Sequence, residues 1–101
     1  MAQVTWTIRA LDDLDKITDY YAEISPAYAA RLIKDIFNAE KQLERFPASG
    51  RIVPEANVPT FREIIVRGYR VIYAHVDYER VDILGVRSSK IPLSDFPSES
   101  S

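Results

Sequence analysis

The spacing of apolar residues along this chain changes period twice. Val4 to Ile8 (V-T-W-T-I) alternates large apolar residues with threonine, the pattern of a short strand with one buried face. From about Ala10 the period lengthens: Leu11, Leu14, Ile17, Tyr21 and Ile24 recur every three or four residues and predict an amphipathic helix. Asp12 and Asp13 then fall in its first turn, where carboxylates offset the helix dipole. Ser25-Pro26 marks a restart, because serine caps a helix well and proline at the first helical position leaves no N–H unpaired. The second helix carries Leu32, Ile33, Ile36, Leu43 and Phe46 on its stripe. It is expected to stop before Pro47, whose ring disfavours helical backbone at the residue before it. Two helices joined this closely form an antiparallel hairpin.

Pro47 to Thr60 contains three prolines and a glycine and reads as a loop of fixed shape. Three strands follow, Phe61–Arg67, Tyr69–Val76 and Val81–Val86, separated by Gly68 and by Asp77–Arg80, and they predict an antiparallel meander. The run Y-R-V-I-Y-A-H-V is apolar on both parities, as in a central strand covered on both faces. The fold expected is α+β, in the order strand, helix, helix, strand, strand, strand, with the helical hairpin packed on one sheet face. Residues 1–90 read as a single domain and 91–101 as a Pro/Ser-rich tail, frayed without a partner. The expected core comprises Leu14, Ile17, Leu32, Ile36, Leu43, Ile65, Val71, Tyr73, Ile83 and Val86.

Composition narrows the classes without naming one. A chain of 101 residues supports one core with little to spare. It has no cysteine, so disulfides and thiolate metal sites are excluded and a reducing cytoplasm is compatible. No apolar run approaches the ~20 residues needed to cross a bilayer. No basic segment followed by an apolar one opens the chain, so no signal peptide is expected. The net charge of −2 argues against a protein that coats nucleic acid, since phosphate contacts demand a basic excess. The charge is nevertheless uneven. Asp12, Asp13, Asp15, Asp19 and Glu23 load the first helix, while Arg62, Arg67, Arg70, Arg87 and Lys90 load the strand region.

The most informative stretch is Gly50 to Tyr73, which places Arg51, Glu55, Arg62, Glu63, Arg67 and Arg70 around two apolar runs joined by an R-G-Y-R corner. Guanidinium groups on and between strands suit either an anion or a protein partner. No glycine-rich phosphate loop, metal-ligand spacing or Ser/His elbow accompanies them, and no metal or cofactor is expected.

Taken in order, five strings resemble the ParE/RelE superfamily of bacterial toxins from type II toxin–antitoxin systems. They are W-T-I-R-A-L-D-D-L-D-K-I, S-P-A-Y-A, F-P-A-S-G-R-I-V-P-E, R-E-I-I-V-R-G-Y-R-V-I-Y-A and D-I-L-G-V-R, and the resemblance spans residues 3 to 90. It implies a toxin neutralised by a co-encoded antitoxin whose C-terminal segment wraps it. RelE-like members are ribosome-dependent ribonucleases, whereas ParE-like members poison DNA gyrase. The F-P…G-R…P-E loop is similar to the ParE-like branch.

The two chemistries make different demands. Metal-free RNA cleavage needs a base, an acid and cations at the scissile phosphate. By resemblance, Arg70 stands where RelE-like ribonucleases carry a functional arginine, and Arg87 lies close to their second one. The alternative is that both pair with carboxylates such as Glu63 or Asp82. The ribonucleases' C-terminal tyrosine has no counterpart, since Ile91-Pro92-Leu93-Ser94 occupies that region. His75 reads as a packed or edge-facing strand residue. Glu63 is expected to stay ionised beside Arg62 and Arg67, and Lys90 is the sole lysine after Lys41.

Inhibiting a protein needs only a surface. The partner-binding residues expected are Arg62, Arg67, Arg70, Tyr78, Arg87 and Lys90. Trp6, Tyr78 and Phe96 are candidate aromatic anchors, of which Trp6 fits a core position better. The expectation is therefore a cytoplasmic ParE-like toxin that inhibits DNA gyrase and forms a hetero-oligomer with its antitoxin. That antitoxin would lie along the helical hairpin and add backbone contacts at the sheet. Two alternatives stay open: an endoribonuclease acting on ribosome-bound mRNA through Arg70 and Arg87, and a non-toxic member that only binds its antitoxin.

Overall fold

Residues 1–93 are described by the computed structural model; Phe96 and most of the expected tail lie outside them. The order is β1 (Gln3–Trp6), α1 (Ile8–Ile24), α2 (Pro26–Arg45), β2 (Arg51–Ile52), β3 (Phe61–Val66), β4 (Tyr69–Asp77) and β5 (Arg80–Ser88). The five strands form one mixed sheet in the order β1-β5-β4-β3-β2. β3, β4 and β5 make the expected antiparallel meander, while β1 joins the far edge parallel to β5. No helix is long and apolar enough to cross a membrane.

Ser25 alone joins the helices. It adopts extended backbone (φ −158°, ψ 100°), donates its N–H to the Tyr21 carbonyl at 2.7 Å, and accepts the Tyr28 N–H on its hydroxyl at 3.2 Å. One serine therefore ends α1 and caps α2, with Pro26 at the first helical position. The hairpin buries Ala10, Leu14 and Ile17 of α1 and Leu32, Ile36, Ala39 and Leu43 of α2 against Val71, Tyr73, Val81, Ile83 and Val86 of the sheet. The opposite sheet face carries a smaller core, in which Val53, Ala56 and Ile72 meet partly buried Val58, Phe61 and Leu93. The central strand is covered on both faces, as its sequence predicts.

At the β3–β4 corner Arg67 (φ 46°) and Gly68 (φ 82°) are both left-handed, between the paired residues Val66 and Tyr69. A two-residue turn with positive φ at both positions matches strand twist. Glycine meets that requirement without strain. Arg67 meets it while its guanidinium bonds Asp35 of α2 and lies over the Tyr28 ring at 6.0 Å.

Several expectations are corrected. The first strand ends at Trp6, because Thr7 caps α1 by accepting the Ala10 N–H at 3.2 Å, and Ile8 is already helical and 87% exposed. With the helix beginning earlier, Asp12 and Asp13 lie beyond its first turn. Leu11, Ile24 and Phe46 are exposed, and Phe46 is the cap residue that ends α2. Ile65 is 48% exposed because its parity on β3 is opposite to that of Ile64 and Val66, which face the helices, and the 53–58 segment does not cover it. The 47–60 loop holds the short strand β2, absent from the sequence reading.

Candidate functional site

On the sheet face away from the helices, charge replaces apolar packing at one place. Glu63 of β3 and Arg70 of β4 share the parity that faces the 53–58 segment, and both are buried. Arg70 donates from Nε to Glu63 Oε1 (2.6 Å) and from Nη1 and Nη2 to the two oxygens of Glu55 (2.8 and 2.6 Å). Arg51 of β2 donates from Nε to the other Glu63 oxygen at 2.5 Å. Leu93 adds its N–H to Glu55 Oε2 at 3.2 Å, which ties the C-terminal segment to the same group. Bidentate guanidinium–carboxylate pairing of this kind is both strong and directional.

These contacts set the ionisation of the cluster. Hydrogen bonds from Arg70 hold the Glu55 carboxyl down at about 2, against 4.5 ordinarily, and the bonds from Glu55 and Glu63 push Arg70 upward. A carboxyl depressed on folding contributes stability that is full above its unfolded pKa and is lost as pH falls through its folded one. The Glu55 contribution should therefore fade from about pH 4.5 down to about 2. Urea unfolding midpoints measured across that window should fall in the native chain, and Glu55→Gln should flatten that part of the curve. An unchanged slope in the variant would show that Glu55 is not linked to folding.

Beside the cluster opens a cleft of about 250 Å³, lined by Arg51, Arg70, Lys90, Glu55 and Ser89 between two prolines, Pro54 and Pro92. Arg70 is one of its walls, yet all its nitrogens are already engaged with carboxylates. The charges that face outward are those of Arg51, 62% exposed along its side chain, and Lys90.

The structure gathers some of the expected site residues and separates others. Arg70 and Lys90 meet in the cleft, and Arg70 pairs across the ladder with Arg87. Arg67 is nearby in sequence but bonds Asp35 on the helical side. Arg62 donates to the carbonyls of Pro59 (3.1 Å), Ala48 (3.4 Å) and Gly50 (3.0 Å), stitching both ends of the loop to β3. Tyr78 is 76% exposed at the β4–β5 turn, the opposite end of that hairpin from Arg70, with its ring edge-on to His75 at 5.1 Å. Trp6 is half-buried, tilted against Phe37, and donates its indole N–H to Glu40 at 2.6 Å. His75 Nε2 is buried with no hydrogen-bond partner among the described residues.

Two carboxylates are placed only partly as expected. Glu63 is held by Arg70, the pairing offered as the alternative, and by Arg51; of its sequence neighbours, Arg62 has the opposite strand parity and Arg67 lies in the turn, bonded to Asp35. The carboxylate beside Arg87 is Asp13, whose Oδ2 is 3.5 Å from Nε and also accepts the Val86 N–H at 2.9 Å, while Asp82 bonds Arg80. β1 pairs only as far as Ile83, so β5 leaves that N–H without a ladder partner and Asp13 of α1 supplies one. No local signal marks Asp13 for this role.

A two-helix hairpin over a five-stranded mixed sheet carries the site, and its similarity to known families makes this a small toxin of a type II toxin–antitoxin system. The chain belongs to the ParE/RelE superfamily: the family model described as "ParE toxin of type II toxin-antitoxin system, parDE" matches residues 4–92. It is 38% identical over 87 residues to Toxin RelE2 of Caulobacter vibrioides, covering 86% of this chain and 94% of that protein. It is 33% identical over 84 residues to Putative toxin Y4kP of Sinorhizobium fredii, covering 83% and 84% respectively. Among solved structures, the "Chromosomal ParDE TA system from P. aeruginosa" superposes with a TM-score of 0.71 at 27% identity, covering 87% of this chain and 96% of that one. The YoeB dimer from Staphylococcus aureus shares the fold, at a TM-score of 0.56 and 19% identity over 85% and 94% of the two chains. Membership of this family implies a cognate antitoxin.

Proposed function

We propose that this toxin acts by inhibiting DNA gyrase, in the cytoplasm, and is held inactive by a co-encoded antitoxin. One observation carries the reading. The arginine that would serve a phosphate, Arg70, is committed on every nitrogen to Glu55 and Glu63, and two carboxylates at that point repel a scissile phosphate. Its part in the working surface is support from beneath, keeping the cleft wall and the C-terminal segment in place. The groups offered to a partner are Arg87 and Lys90 at one end of the sheet, with Tyr78 at the other. Arg62 and Arg67 shape the loop and the turn between them. The antitoxin's amphipathic segment suits the apolar flanks of the hairpin, such as Leu11 and Phe37.

A second reading, cleavage of ribosome-bound mRNA, is favoured by the two outward cations Arg51 and Lys90 at one cleft and by the RelE2 name of a relative. Purified gyrase decides between them. Supercoiling should be inhibited by the chain and restored by the antitoxin, and Lys90→Ala or Tyr78→Ala should weaken inhibition about tenfold or more while the thermal melt stays put. Unaffected supercoiling together with cleavage of ribosome-bound mRNA would replace the first reading by the second. Normal growth on expression without antitoxin would leave neither.

A further inference from the structure

The outer face of the helical hairpin is electrically divided. On α1, Asp12, Asp15, Asp19 and Glu23 are all exposed and spaced three, four and four residues apart, which makes one ridge opposite the buried Ala10, Leu14 and Ile17. On α2, Arg31, Lys34, Lys41 and Arg45 are all exposed and fall with Asn38 on a 31-34-38-41-45 stripe opposite Leu32, Ile36, Ala39 and Leu43. Lys16 interrupts the acidic ridge only to pair with Asp12 at 3.4 Å. Among the described residues, none of the four α2 cations enters an ion pair, and neither do Asp15, Asp19 and Glu23. Because both ridges point away from the core, they do not satisfy each other within one molecule.

We infer that this face is a contact surface for a second copy of the chain. The partner is chosen by charge. A nucleic acid on α2 would meet four carboxylates running alongside on α1, in a protein of net charge −2. A second hairpin carries both signs, and the ridges oppose each other where residues are equally far from Ser25, Asp12 to Asp19 against Arg31 to Asn38, over about 10 Å at 1.5 Å rise per residue. A two-fold axis parallel to the helices sets α1 of one copy over α2 of the other, and the reverse, so the interface is the same patch on both subunits. The hairpin is antiparallel, so residues equally far from Ser25 come level, and Asp19 of one copy meets Arg31 of the other while Asp15 meets Lys34. The stacked helices also run in opposite directions, which opposes their dipoles favourably. The perpendicular two-fold would put α1 on α1 and is excluded by like charge. Exposed ion pairs contribute little singly, so the association is weak and set by ionic strength.

Sedimentation velocity of the full chain, separated from antitoxin, tests this. At ~0.1 M salt and high protein concentration a species of twice 11.6 kDa should form, and it should dissociate at ~1 M salt, where the screening length is about 3 Å. Arg31→Glu/Lys34→Glu and Asp15→Lys/Asp19→Lys should each be monomeric at low salt, with unchanged thermal melts because every altered position is exposed. An equimolar mixture of the two variants should recover a mixed dimer, since the acidic α2 of one then faces the basic α1 of the other. The inference is overturned by a chain that is monomeric at low salt. It is equally overturned by a dimer indifferent to both variants, or by a mixture that stays monomeric.

Discussion

Arg70→Ala is expected to destabilise the fold by about 3–5 kcal/mol, the cost of stranding a buried charge when its partner is removed. The Arg70 side chain is 5% exposed and that of Glu63 is fully buried, so neither regains water when the other goes. Arg51 would remain on one Glu63 oxygen, and Glu55 would turn outward into the cleft it already lines. For a domain of about 100 residues the loss corresponds to at least about 12 °C in Tm. The double variant Arg70→Met/Glu63→Leu should recover much of it, because replacing both members with apolar residues removes the desolvation problem. Thermal melts of the three proteins check the argument. A single variant within about 1 kcal/mol of the native chain would mean that the cluster is solvated in solution.

The second large effect centres on Tyr73, fully buried in the middle of β4. Its hydroxyl accepts the Gly50 N–H at 2.9 Å, which joins the start of the 50–60 loop to the main core. A Cβ on Gly50 would lie 2.6 Å from the Glu63 carbonyl oxygen and 2.7 Å from that hydroxyl, so glycine is required by the close approach. Tyr73→Ala should cost about 3–5 kcal/mol from lost burial and the cavity left behind. Tyr73→Phe isolates the polar part and should cost about 1–3 kcal/mol, the desolvation penalty of an orphaned buried N–H. Urea unfolding of both variants, with amide exchange at Gly50, separates the terms. If Tyr73→Phe costs nothing and Gly50 exchange is unchanged, the hydroxyl does not anchor the loop.

Burial also pushes the Tyr73 and Tyr69 hydroxyls upward, Tyr69 with a further contribution from Tyr21. A phenol kept neutral in the fold costs stability once the unfolded chain ionises, so alkaline destabilisation should begin near pH 10. It stands opposite to the acid limb set by Glu55.

Much of this molecule is legible along the chain because its signals are local. The 3.6-residue spacing of Leu14, Ile17, Leu32, Ile36 and Leu43 finds the buried helix faces, and Ser25-Pro26 finds the joint. The Glu63–Arg70 pairing is within reach of sequence reasoning, since a two-residue turn at Arg67-Gly68 fixes which residues of β3 and β4 share a face. Ile65 defeats the same reasoning. Its strand is apolar throughout, and only the coverage of the outer face decides that Ile72 is buried while Ile65 is not. Thr7 reads along the chain as an alternating strand residue, but its hydroxyl accepts the Ala10 N–H and so ends the strand and caps α1.

By itself the sequence determined the helical hairpin, the three-stranded meander and the acidic loading of α1, which follow from periodicities and turns a few residues long, and its five ordered strings carried the resemblance to the superfamily. Only the tertiary structure decided which charges are spent. Glu55 reaches Arg70 across 15 residues, Asp13 reaches Val86 across 73, and Arg51 of β2 reaches Glu63 across 12. An arginine held by two buried carboxylates and an arginine facing solvent read alike in a string of letters. Whether its charge remains for a partner depends on residues brought together only when the sheet closes.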